Sequence, residues 1–214
     1  MKRTLLYMVQ QVCNKLDLDE INSISDTVES EQIASELEVT YYDLLTREEW
    51  PHLKNLLRIE TVSDSLSPTL LRIPEEVIRI DQLSYLTTDG SESSYKELIY
   101  LKPEDFLVKA NDLNVSDDNV EQMSINDTNI NIINDAWPTY WTSFNNKELV
   151  FDSYKSDESD TLLGTRTQCL GISYPEWEMT DDFSPDMPPQ MYPLLMAEIS
   201  AAASIYFKLQ QNPE

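Results

Sequence analysis

The stretch Asn22–Leu53, "NSISDTVESEQIASELEVTYYDLLTREEWPHL", decides how the rest of the chain is read. Ile33, Leu37, Tyr41 and Leu44 recur at spacings of 4, 4 and 3, the period of one helical face. Ser25 or Asp26 opens the helix, and Asp26 with Glu29 three residues on has the form of a capping box. Glu29 and Glu31 in the first turns suit the positive end of the helix dipole. Trp50-Pro51 ends the run, because a residue before proline avoids the helical region. Glu31, Glu36 and Glu38 fall off the apolar stripe, and besides His52 the stretch holds one basic residue, Arg47. An apolar face this regular needs a partner, and the search for it leads outward.

Two further segments have the same period. Residues 4–17 place Leu5, Val9, Val12 and Leu16 on one face. Near the other end, Tyr192, Leu195, Ile199, Ala202, Tyr206 and Leu209 follow spacings of 3, 4, 3, 4 and 3. Small residues at 200–204 permit close approach by another helix. The simplest partner for each apolar face is one of the others.

Between them the period shortens. "LLRIETV" (56–62), "TLLRIP" (69–74), "EVIRIDQLSYLT" (76–87), "ELIYL" (97–101), "NINII" (129–133), "TYWTSF" (139–144), "ELVFDSY" (148–154) and "TRTQCLGISYP" (165–175) read as strands. "TTDGSESS" (87–94) is a hairpin loop around Asp-Gly, and "KPEDFLVKAND" (102–112) a short helix opened by Pro103. Residues 114–128 read as a polar surface excursion, and 175–189 as a linker too rich in proline and acid for regular structure. The expected fold class is α+β. An N-terminal helix pair and a long C-terminal helix form a bundle (1–53 and 188–214), and a β-rich antiparallel insertion with acidic loops fills 54–187.

Composition narrows the function. Lys plus Arg number 15 against 39 Asp plus Glu, a net charge of −24. Such a surface repels nucleic acid and anionic membrane. Three glycines cannot build a phosphate-cradling loop or a dinucleotide fingerprint. Cys13 and Cys169, far apart and outside any CxxC, read as buried free thiols in a reducing compartment. No signal peptide and no bilayer-spanning run is read. The lone His52 has no triad around it in sequence. "DSYKSDESD" (152–160) lacks the central glycine and closing glutamate of a calcium loop. No catalytic, cofactor or metal residue is assigned. Of the aromatics, Trp137, Tyr140, Trp141 and Phe144 read as core, while Trp177 and Phe183, in the acidic linker, read as interface anchors with Glu31, Glu36 and Glu38.

The segment "LLYMVQQVCNKLDLDEINSISDTVESEQIASELEVTYYDLLTREEWPHL" resembles the N-terminus of the head-to-tail adaptor proteins of short-tailed bacteriophages, the tail-tubular-protein-A type. "SPTLLRIPEEVIRIDQLSY" and "LIYLKPEDFL" are similar to that family's middle section, and "MPPQMYPLLMAEISAAASIYFKL" to its final helix. The resemblance implies a non-enzymatic virion protein of the neck, assembled in the host cytoplasm. It implies a homo-oligomeric ring, commonly of twelve copies, joining the portal protein to the tail nozzle or tube. Double-stranded DNA would pass through without sequence-specific binding, and no cofactor or membrane would be involved. The residues themselves leave two alternatives open: a small tail-associated hydrolase using two of the carboxylates, or an acidic interaction or DNA-mimic module. The Glu-rich side of the second helix is left facing solvent, a neighbouring subunit or the channel.

Overall fold

A computed structural model describes residues 3–62 and 64–211, with side chains as far as Tyr206. Its helices are α1 (Leu5–Lys15), α2 (Val28–Arg47), α3 (Pro103–Asn111) and α4 (Met191–Gln211). Its strands are β1 (Lys54–Leu57), β2 (Glu60–Thr61), β3 (Leu70–Arg72), β4 (Val77–Asp89), β5 (Glu92–Glu97), β6 (Ile99–Tyr100), β7 (Val120–Ile125), β8 (Thr128–Ile133), β9 (Tyr140–Thr142), β10 (Glu148–Phe151) and β11 (Thr167–Ser173). The chain divides into two units: Met1–Leu53 with Pro175–Glu214, and Lys54–Tyr174.

The second boundary therefore lies at 174/175, not at the expected 187/188. Residues 175–189 contain no helix or strand, yet they complete α1. The first N–H groups of a helix have no partner inside it. Here Leu5 N donates to Phe183 O at 2.7 Å, Leu6 N to Asp181 O at 3.3 Å, and Tyr7 N to the Thr4 side chain. A segment without regular structure is held because it satisfies another element's backbone.

The expected fold class is overturned in two respects. The described molecule is mixed α+β, with four helices and three sheets, and α4 is not the long helix expected, about 16 of its residues being described to the side chain. Its packing is shorter still. Met191, Leu195, Met196, Ile199 and Ala203 are buried, but Ile205 and Tyr206 are exposed. The helix with the most buried stripe is α2, and α1, α2 and α4 pack on one another.

The β unit is also not one antiparallel insertion. It holds sheets ordered β1-β11-β4-β5, β2-β3-β10-β9-β6 and β7-β8. The β6–β9 pair is parallel, because α3 and the β7–β8 hairpin lie between them as a crossover and return the chain in the same direction. That hairpin occupies much of the expected polar excursion. Asn126 and Asp127, both at positive φ, form its two-residue turn. Val120–Ile125 escaped notice because Met123 is its sole fully buried side chain. Asp89-Gly90 joins β4 to β5 as the turn residues predict, Gly90 taking φ +61°. At Gly171 two backbones come so close that a Cβ would stand 2.2 Å from Arg79 O. Leu71, Leu83, Tyr85, Phe106, Ile132, Leu149 and Phe151 fill this unit's core.

Candidate functional site

Helix α2 starts one residue later than the sequence suggests. Thr27 is its N-cap: the Thr27 hydroxyl accepts from Ser30 N at 3.1 Å, and Ser30 Oγ accepts from Thr27 N at 3.1 Å. This is a capping box with serine where glutamate was expected. Asp26 is engaged outside the helix, accepting from Ser23 N at 2.9 Å and from Asn22 N. Ser30 is small enough to be fully buried at the cap, where a glutamate would not fit. The helix ends at Arg47, and the Trp50 indole N–H donates to Leu44 O at 2.9 Å, satisfying one of the carbonyls a helix end leaves open.

The predicted stripe is the core of this unit. Ile33, Leu37, Tyr41 and Leu44 are each no more than 1% exposed. In α4, which packs on α2, Leu195 and Ile199 are fully buried. Tyr192 is half-buried with the Arg3 guanidinium 4.1 Å from its ring centre. Tyr206, expected to pack, is 47% exposed, and the Leu209 side chain lies outside the described residues. Arg47, the one cation of the opening stretch apart from His52, joins α2 to α4 by pairing with Asp43 and, at 2.7 Å, with Glu198.

Trp177 and Phe183 are not free anchors. Both are half-buried within their own unit. Trp177 packs at 5.2 Å on the ring of Tyr41 and at 4.9 Å on Phe183. The Tyr41 hydroxyl donates to Asp186 O at 2.6 Å, and that of Tyr42 to Pro175 O at 3.0 Å. Burial, reinforced by Asp186, holds the Tyr41 phenol well above its ordinary pKa, so it remains a donor. Asp181 accepts from Ile24 N at 2.8 Å. The aromatics thus fasten residues 175–190 onto α2.

The exposed side of α2 carries what sequence reasoning missed. Val28, Glu31, Gln32, Ser35, Glu36 and Val39 form one wall of an open groove of about 730 Å³. Ala202, Ala203, Ile205 and Tyr206 of α4 line it too, as does Ile33. Val28 and Val39 are 66% and 61% exposed, and Ile205 is 64% exposed. Single exposed apolar residues are ordinary, but several in one concavity mark an interaction surface. A signal existed: Val28 and Val39 are 11 residues apart, three turns, hence on one azimuth of an otherwise polar face. Of the predicted interface residues, Glu31 and Glu36 stand on this groove, while Glu38 is half-buried beside it near Tyr42. A second hollow of about 440 Å³, bounded by Ser23–Ser25 and Met179–Asp181, shares Glu31 and Ser35 with it.

The remaining carboxylates do structural work where they are buried. Asp152 accepts from Thr139 N and Tyr140 N, both at 2.9 Å, and desolvation raises its pKa. Cys13 and Cys169 are buried free thiols, and burial pushes Cys169 up to about 12. Among the described residues no group of three or more His, Cys, Asp or Glu is placed to hold a metal ion, and no helix is long and apolar enough to cross a membrane. Compared with known proteins, the chain matches no family model and no curated relative.

Proposed function

We propose that this chain is a non-enzymatic connector subunit of a short-tailed phage. It assembles as a homo-oligomeric ring of about twelve copies in the virion neck, between the portal protein and the tail nozzle or tube, as the resemblance of its sequence implies. The observation that carries the reading is the apolar groove between α2 and the end of α4, an exposed concavity in a chain otherwise so polar and so acidic. A connector needs exposed apolar surfaces of this kind, since it has to dock the proteins above and below it. A net charge of −24 per copy suits a channel wall, because repeated carboxylates offer DNA phosphates few contacts and let the duplex slide past.

Sedimentation velocity of the full chain, alone and mixed with the portal protein of the same phage, tests this. A ring-sized species, formed alone or on the portal, is the expected result. This chain sedimenting only as a 24.8 kDa species in both samples at micromolar concentration would refute it.

A further inference from the structure

We propose that the groove between α2 and the end of α4 receives an amphipathic helix from a different protein, one whose apolar stripe is flanked by lysine or arginine. This rests on reading the groove as an assembly surface, and it names the chemistry of the occupant.

The length comes from the wall. Val28 to Val39 spans 11 residues, about 17 Å at 1.5 Å per residue. That matches three turns of a helix laid along α2, and an open trough with apolar side chains at both ends is the form in which an apolar helix face is bound. Val28, Val39, Ile205 and Tyr206 supply the apolar contacts.

The charge comes from the rim. Glu31 and Glu36 line the groove between the two valines, and no Lys or Arg stands in that span or among the groove's lining residues. Arg47, further along α2, already pairs with Asp43 and Glu198. A partner bringing carboxylates would meet like charge at short range; one bringing Lys or Arg finds complementary potential. A second copy docking the same face brings the same glutamates and is repelled. The exposed apolar residues Leu107 and Val108 of α3 sit among Glu104 and Asp105 as well as Lys102 and Lys109, so they offer no net basic surface.

The test uses the full chain and a fluorescein-labelled peptide of about 14 residues, long enough for three to four helical turns. Leucines at helical spacing form its stripe and lysines its flanks; a twin peptide carries glutamates for lysines. Anisotropy should show binding of the lysine peptide, weakening with salt, and none of the glutamate twin. Val39→Glu and Ile205→Glu, both at exposed positions where the fold tolerates charge, should each weaken binding about tenfold, since a charge is then left in an apolar contact. E31K with E36K should weaken it about tenfold as well, whereas D117K with D118K, an equal charge change in the other unit, should change it less than about threefold. Equal weakening by both pairs would mean attraction to net charge alone and would overturn the proposal. So would no binding of the lysine peptide, or self-association of the chain that Val39→Glu abolishes. Ring assembly is read separately: rings without peptide binding sink this inference alone, and peptide binding without rings sinks the connector reading alone.

Discussion

Tyr41 is where the helical unit holds its irregular segment, and two substitutions separate its two contributions. Its ring is 1% exposed and stacks 5.2 Å from Trp177, and its hydroxyl donates to Asp186 O at 2.6 Å. Tyr41→Phe keeps the ring and orphans one carbonyl, so it should destabilise by about 1 kcal/mol. Tyr41→Ala removes the ring as well, leaves a cavity, and should cost about 3–5 kcal/mol. If the helical unit, roughly 90 residues, melts by itself, each kcal/mol lowers Tm by about 4–8 °C; if the chain melts together, by about 2–4 °C. Thermal melts by circular dichroism measure the totals. Hydrogen exchange measures the mechanism: the Leu5 and Leu6 amides, which donate to Phe183 and Asp181, should exchange much faster in Tyr41→Ala and nearly normally in Tyr41→Phe. Equal effects of the two substitutions, or undisturbed Leu5 and Leu6 amides in Tyr41→Ala, would refute the idea that the aromatic stack holds residues 175–190 against α1 and α2.

Three more outcomes follow from the same reasoning. The phenols of Tyr41 and Tyr85 are raised by burial, and that of Tyr154 is raised to about 12 by burial and Glu121. The unfolded chain releases these protons near pH 10 while the folded chain keeps them, so the stability they contribute is fully present below pH 10 and is lost as pH rises through the folded values. The slope is at most about 1.4 kcal/mol per pH unit per phenol, and urea midpoints that stay flat from pH 9 to about 11.5 would contradict it. Gly171→Ala drives a Cβ to 2.2 Å from Arg79 O and 2.7 Å from a Leu57 methyl, so it should destabilise the β unit by about 3 kcal/mol or more; a loss under about 1 kcal/mol by urea titration would show that β4 and β11 can part. His52 has both ring nitrogens buried without a hydrogen-bond partner among the described residues, its ring set edgewise 6.1 Å from Trp50. His52→Phe should therefore raise stability by about 1 kcal/mol, and a lowered melting temperature would place a water on one of those nitrogens.

Sequence by itself determined the elements that follow from local periodicity. The stripe Ile33, Leu37, Tyr41 and Leu44 reads as a helix face because 3.6 residues per turn stacks positions three and four apart, and all four side chains are buried. The Asp89-Gly90 turn and the start of α3 at Pro103 are equally local, each set by the backbone angles its residues prefer. What tertiary structure decided lies in partners distant along the chain. That residues 175–190 belong with α1 depends on N–H groups of Leu5 and Leu6 finding carbonyls of Phe183 and Asp181. That Trp177 and Phe183 are half-buried depends on Tyr41, on whose ring Trp177 packs, with Phe183 against Trp177 in turn. That the cap is Thr27 and not Asp26 depends on Ser30 being buried, and that β6 pairs in parallel depends on the crossover through α3. The groove is of the same kind. Val28 and Val39 are visible on one azimuth of α2, but whether they are covered depends on where the packing of α4 stops, and of its stripe Ala203 is buried while Tyr206 is 47% exposed. Period predicts which side chains share a face; only the positions of the other elements decide which faces are filled.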